Sequence, residues 1–314
     1  MATVKNYLSL IKFSHTIFAM PFAMIGFFLG INYYSKKFSF AWRENNGQPE
    51  SGLRRLLGSL TAEGLLLKLI LVILCMILVR SAAMSFNRYL DRNFDARNPR
   101  TAVREIPKGI ISAKNALLFA LVSCALFLIT CFFINNLCFY LSPVALVVVL
   151  GYSYTKRFTP LCHLVLGIGL SLAPIGAYLA ITGSFALLPI LFSFTVIFWV
   201  SGFDIIYALQ DEEFDKSNQL YSMPSWLGKS KALRVSEFLH LLSFGCVIAA
   251  GIFGQFSLWY WIGVCVFTGM LIYQHSIVRP NDLSKVNLAF MTANGIASVV
   301  FAVFVIADLF VHRV

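Results

Sequence analysis

Charge is scarce in this chain: 12% of its 314 residues are Asp, Glu, Lys or Arg, about half the share of an ordinary soluble domain. With 59% hydrophobic residues, too little polar surface remains to cover a water-soluble fold, and a polytopic membrane protein is implied. Acid is the rarer sign, 14 Asp+Glu against 25 Lys+Arg, for a net charge of +11. No compact basic segment with interleaved aromatics lies outside the apolar runs, so the excess of base does not point to nucleic acid. The seven cysteines form no CxxC pair, which argues against a zinc or redox motif and for thiols used as small core hydrophobes. No Lys-Ser/Thr follows Gly167, Gly169 and Gly176, so these read as sites of close helix approach and not as a phosphate loop. The first apolar run, about 10–33, ends without a small-residue cleavage site and is expected to span instead of acting as a signal peptide.

Runs of roughly twenty apolar residues predict an all-α bundle of nine transmembrane helices around a central cavity, at about 11–34, 64–88, 115–134, 138–155, 161–182, 186–207, 235–253, 258–276 and 287–310. Most basic residues then fall in the connections at 88–114, 156–157, 216–234 and 279–285, on one side. The positive-inside bias makes that side cytoplasmic and places the N-terminus inside and the C-terminus outside. A polar stretch at 36–62 carries five basic residues on the other side and reads as a flexible loop around its Gly-Gln-Pro-Glu-Ser-Gly centre.

The scarce acid is placed, not scattered. Eight of the 14 acidic residues lie in two windows at the cytoplasmic ends of the second and sixth spans. A helix turns about 100° per residue, so a step of four drifts only about 40°. Asn87, Asp91 and Asp95 therefore share one face, and so do Asp204, Tyr207, Asp211 and Asp215. Asp211 follows Asp91, and Asp215 follows Asp95, by the same 120 residues. That repeat predicts a single domain over 1–314 made of two four-helix halves, about 11–155 and 161–276, and a ninth helix. Carboxylate and amide oxygens from two helices suit a hard cation such as Mg²⁺, which commonly shares its ligands with phosphate oxygens. A metal-bound diphosphate fits such a pair of rows.

The motif Asn87-x-x-x-Asp91-x-x-x-Asp95, followed by Arg97-Asn-Pro-Arg-Thr101-Ala-Val-Arg-Glu-Ile-Pro107-Lys-Gly109, resembles the first signature of the UbiA superfamily of intramembrane prenyltransferases. Asp204-x-x-Tyr207-x-x-x-Asp211-x-x-x-Asp215 is similar to the second, and the resemblance covers nearly the whole chain. Lys-Phe-Ser-His15-Thr-Ile-Phe-Ala-Met-Pro21-Phe-Ala and Arg80-Ser-Ala-Ala-Met-Ser-Phe-Asn87 look most like the bacterial 4-hydroxybenzoate polyprenyltransferases of that family. The resemblance implies that Asn87, Asp91, Asp95, Asp211 and Asp215 hold Mg²⁺ bridging a polyprenyl diphosphate. It implies transfer of the prenyl group to an aromatic acceptor such as 4-hydroxybenzoate, in quinone biosynthesis, at the cytoplasmic face of a bacterial inner membrane. Other acceptors of the family, dihydroxynaphthoate, a tetrapyrrole or a glycerol phosphate, stand as alternatives. A cation-coupled transporter is the alternative of a different class, although coupling charges usually sit near the bilayer midplane.

Several residues keep two readings. The resemblance implies that Lys156 and Arg157 contact the diphosphate or acceptor, while charge bias alone makes them anchors at a cytoplasmic helix end. Arg88, with Arg92 and Arg104, binds substrate or only snorkels to solvent. Arg80, about 10 Å deeper than Asn87 by helical rise, pairs with an acceptor carboxylate or with a motif aspartate. Asp204 orients basic residues or accepts the ring proton, and Tyr207 hydrogen-bonds a phosphate or faces a carbocation; a packed pair is the plain alternative for both. His15 reads as a core histidine before a base. The 30 Phe residues line a tail tunnel, fill the core or face lipid.

Overall fold

The computed structural model describes residues 3–12, 16, 18–44 and 61–311. The reading of His15 and the centre of the polar stretch, 45–60, lie outside these residues. The described chain is helical, and the β pairing within it is a single isolated bridge between Arg279 and Asp282. Its helices are α1 (Val4–Leu10), α2 (Met20–Glu44), α3 (Ala62–Leu90), α4 (Arg92–Arg97), α5 (Ala113–Ile134), α6 (Asn136–Thr155), α7 (Cys162–Thr182), α8 (Leu187–Ala208), α9 (Glu212–Ser217), α10 (Met223–Leu227), α11 (Lys229–Phe253), α12 (Leu258–Ile277) and α13 (Asn294–Val311).

Among the described residues, seven helices are long and apolar enough to cross a membrane. The other two expected spans are present as helices α2 and α12 of 25 and 20 residues. Asn32, two tyrosines and Lys36–Lys37 make the first less apolar, and Gln274, His275 and the Trp-Tyr-Trp start do so for the second. The first expected span is also displaced. Its helix begins at Met20 beside Pro21, a residue suited to a first helical turn, and runs to Glu44 because no Gly or Pro interrupts 31–44. The polar stretch thus starts as helix, not as loop.

Helix α5 shows why the bundle belongs in lipid. Leu118, Leu121, Val122, Leu126, Ile129, Phe132 and Phe133 are exposed, while Ala116, Ala120, Ser123 and Thr130 are buried. Large apolar groups outside and small or polar ones inside invert the soluble pattern, as expected where lipid is the solvent. The chain is an integral membrane protein.

Helix pairs α7–α8, α8–α11, α3–α5, α12–α13 and α2–α7 carry most of the packing. Close approach needs small residues at two crossings. A Cβ on Gly26 would lie 1.9 Å from the Pro174 carbonyl oxygen, and one on Gly167 would lie 2.5 Å from that of Ile197. Phe22, Trp199, Phe267 and Phe301 pack in tilted and edge-on contacts through the middle of the α2, α8, α12 and α13 side, with ring centroids 5.2–6.5 Å apart. These four rings are core, whereas Phe132, Phe133, Phe158 and Phe238 are among those exposed on the outer surface.

The α3, α5, α6 and α7 side is different: it surrounds an apolar cavity of about 370 Å³. Buried Asp308 accepts from the backbone of Ser257 and Tyr260 at 3.0 and 3.2 Å and so caps α12 from α13. Asn294 does similar work at the centre, accepting from Trp199 and Gln274 at 2.9 and 2.8 Å beside a π-helical turn, Leu288–Ala293.

Candidate active site

Both motif helices break at an aspartate. Helix α3 stops at Leu90, Asp91 takes φ −90° and ψ 7°, and α4 restarts for six residues. Helix α8 passes through a 3₁₀ turn, Leu209–Asp211, Asp211 takes φ −105° and ψ 4°, and α9 also runs six residues. The continuous helices expected from the spacing are corrected in this respect. The first stripe survives the break because Asp91 N–H still donates to Asn87 and Asp95 N–H to Asp91, at 2.9 and 2.8 Å.

The two rows face one cavity of about 220 Å³. Asn87, Asp91, Asp95, Asp204, Tyr207, Asp211, Asp215, Lys156 and Arg157 all line it. Each of four aspartates meets a basic partner. Arg157 lies 3.2 Å from Asp91, Arg104 2.6 Å from Asp95, and Lys156 2.7 Å from Asp215. Arg100 grips Asp211 with two guanidinium nitrogens, the Nε bond being 2.9 Å. Neighbours Lys156 and Arg157, at the end of α6, thus reach opposite rows.

The connection after α4 ties the rows together as well. Asn98 donates to Asp211 at 3.0 Å, and Arg100 donates to the Tyr207 hydroxyl at 2.8 Å. Tyr207 stacks on Phe290, with centroids 4.2 Å apart, and presents its other side to Arg100.

Charge states follow from this pairing. Burial pushes the Asp91 carboxyl above its ordinary value, against the pull of Arg157. Burial works against the charge on Arg100 and Lys156, but Asp211 and Asp215 respectively outweigh it and raise both. Both cations are held charged.

Asp204 stands apart. Its partner is His163, with Nδ1 2.7 Å from the carboxylate, and no Arg or Lys pairs with it among the described residues. The basic side chain that it meets is therefore this histidine and none of the arginines or lysines of the cavity wall. Arg80 lines the apolar cavity, not the acidic one, and donates to the Lys12 carbonyl at 3.2 Å. Its expected alternative, a pair with a motif aspartate, does not form among the described residues. Arg88 is 4% exposed, 3.8 Å from Asp95 and outside the cavity lining, so it neither snorkels nor faces the cavity. Arg92 donates to the Tyr89 carbonyl at 2.7 Å.

Tyr152 and Leu166 line both cavities. The acidic cavity and the apolar one therefore adjoin at these two side chains.

Sequence reasoning missed Asn98, Arg100, His163, Tyr152 and Ser222. Asn98 and Arg100 lay inside the quoted first motif, between Arg97 and Thr101, but only the fold brings them to Asp211. His163 carries no local signal, since its partner is 41 residues away, and Ser222 meets Asp215 across the turn that follows α9, outside any helical spacing.

The donor set suits Mg²⁺. Carboxylates and an amide are hard oxygen ligands, and buried Asp95 Oδ2 lacks a hydrogen-bond donor. Among the described residues no three acidic, His or Cys side chains converge on one point, so a metal here would draw further ligands from a phosphate group, as Mg²⁺ commonly does.

Residues 56–296 match the UbiA prenyltransferase family. The chain belongs to that family. Among its relatives, the 4-hydroxybenzoate octaprenyltransferase of Nitrosomonas europaea is 33% identical over 255 residues, 80% of this chain and 86% of that one. The enzyme of the same name from Tolumonas auensis is 30% identical over 71% of this chain and 78% of that one. Among solved structures, the apo UbiA homolog from Aeropyrum pernix K1 superposes with a TM-score of 0.72 at 25% identity, covering 96% of this chain and 98% of that one. The UbiA homolog from Archaeoglobus fulgidus bound to DMAPP and Mg²⁺ gives 0.66 at 21% identity, covering 98% and 99%, a likeness of fold. This UbiA chain is thus a membrane prenyltransferase, and the ion-coupled transporter reading is set aside.

Proposed function

We propose that this enzyme transfers a polyprenyl group from its diphosphate to an aromatic acceptor, 4-hydroxybenzoate, in quinone biosynthesis. One observation carries the reading: an acidic cavity shared by both motifs adjoins an apolar cavity of about 370 Å³ at Tyr152 and Leu166. A donor with a charged head and a long apolar tail needs such a pair of spaces. The relatives named for 4-hydroxybenzoate point to the acceptor, and their bacterial origin supports a bacterial plasma membrane with the site on the cytoplasmic side.

In this reading Arg100, Arg104, Lys156 and Arg157 bind the diphosphate head by charge-assisted hydrogen bonds. They do not suffice alone, since the cavity wall holds five aspartates against these four cations. Mg²⁺ held by Asn87, Asp91, Asp95, Asp211 and Asp215 would supply the positive charge that offsets the leaving diphosphate. The walls about Tyr152 and Leu166 place the allylic carbon at the junction of the two cavities. When the allylic C–O bond breaks, its electron pair leaves with the diphosphate, and the Tyr207 hydroxyl, which accepts from Arg100, can donate to a departing phosphate oxygen. The acceptor carbon ortho to the phenol hydroxyl attacks, with the acceptor carboxylate paired to Arg80. Asp204, with no cationic partner, takes the ring proton, and the C–H electron pair restores aromaticity.

Purified protein in lipid nanodiscs, given one polyprenyl diphosphate, Mg²⁺ and a panel of acceptors, tests this. Prenylated 4-hydroxybenzoate should form fastest. Product only from dihydroxynaphthoate or a glycerol phosphate would reassign the acceptor.

A further inference from the structure

His163 is 3% exposed at the start of α7, and both ring nitrogens are engaged. Nε2 lies 3.3 Å from the Met223 backbone nitrogen, whose N–H can only donate, so Nε2 must present a lone pair. The single proton of the neutral ring is then on Nδ1, 2.7 Å from Asp204 Oδ2. The hydrogen-bond network therefore assigns one tautomer. Ser222, next to Met223, donates to Asp215 Oδ2 at 2.9 Å. A chain of contacts runs from Asp215 through Ser222 and Met223 to His163 and Asp204, joining the diphosphate end of the cavity to the end where the acceptor ring is deprotonated.

We propose that His163, as the neutral Nδ1–H tautomer, is the positioning residue that fixes Asp204 as proton acceptor for the ring and couples it to the segment bearing Asp215. The inference rests on the prenyl-transfer reading above. Nδ1–H occupies one carboxylate oxygen of Asp204 and fixes the carboxylate plane, leaving the other oxygen for the substrate. Without that donor the carboxylate is free to turn toward Arg157 or Lys156, and proton removal slows while donor binding does not.

The full chain in nanodiscs is assayed with Mg²⁺, a polyprenyl diphosphate and 4-hydroxybenzoate, either protiated or deuterated at the ring positions ortho to the hydroxyl. The wild type should show little isotope effect. His163→Leu should lose ten- to hundredfold in kcat, keep the donor KM within about twofold, and gain a primary isotope effect. His163→Asn, whose amide sits near the Nδ1 position, should recover most of the rate, whereas His163→Gln should not. In an Asp204→Asn background, His163→Leu should add no further loss, since both changes then remove the same step.

A slow His163→Leu with no isotope effect, an unchanged kcat, or losses that multiply with Asp204→Asn would overturn the inference and reduce His163 to a packing residue. If His163→Leu does not fold, the Asn and Gln variants decide, and a Gln variant as fast as Asn overturns it. A wild type that makes no product with this pair overturns the function reading itself, and the inference with it.

Discussion

At the residue scale, every motif aspartate except Asp204 is paired with an arginine or lysine, and for all but Asp95, whose partner Arg104 is nine residues on, the sequence separates the two widely. Asp211 and Arg100 are 111 positions apart, and Asp91 and Arg157 are 66. The carboxylates were legible because four-residue steps keep one helix face. Their partners were not, because nothing local distinguishes a basic residue that anchors a helix from one that crosses a cavity. Arg80 shows the limit well: helical rise put it deeper than Asn87, yet only the fold assigns it to the apolar cavity beyond Tyr152. A buried charged hydrogen bond is worth about 1.5–3 kcal/mol, so Arg80→Ala should raise the acceptor KM roughly tenfold or more. The donor KM should change little. Steady-state kinetics varying each substrate in turn checks this, and an acceptor KM equal to that of the wild type would exclude the pairing.

At the element scale, hydropathy located the long helices to within a few residues from α3 to α13, apart from an earlier start for α11 and a later one for α13, whose expected first residues form the π-helical turn Leu288–Ala293, since apolar length is what the bilayer selects. It failed at α2, where the helix runs past Tyr34 to Glu44, because a polar helix end looks like a loop in hydropathy alone. It also missed the breaks at Asp91 and Asp211, because one non-helical residue leaves the four-residue period intact. The two breaks share the 120-residue offset, and each is followed by a six-residue helix. We propose on that ground that the two halves arose by duplication. Packing of α2 on α7 depends on Gly26, whose missing Cβ leaves room for the Pro174 carbonyl. Gly26→Val forces these backbones apart at a cost of roughly 1–3 kcal/mol. Thermal unfolding in detergent should show a clear fall in midpoint for this variant, and an unchanged midpoint would contradict the packing.

At the scale of the whole molecule, one side of the bundle is filled by packed aromatics and the other holds two adjoining cavities. The acidic cavity receives groups from both halves: Asp91 and Asp95 from one, Asp204, Asp211 and Asp215 from the other, and Lys156 and Arg157 between them. Its wall sets five aspartates against four arginine and lysine side chains, an excess of acid that a diphosphate would meet without a metal. The central claim is therefore that a diphosphate binds only when metal and both rows act together. Calorimetric binding of a non-ionising polyprenyl thiodiphosphate tests it directly. Wild-type protein should bind with Mg²⁺ present and lose binding on chelation, and Asp91→Asn and Asp211→Asn should each weaken it at least tenfold. Tight binding without the metal, or undiminished binding when either aspartate is replaced, would contradict the account.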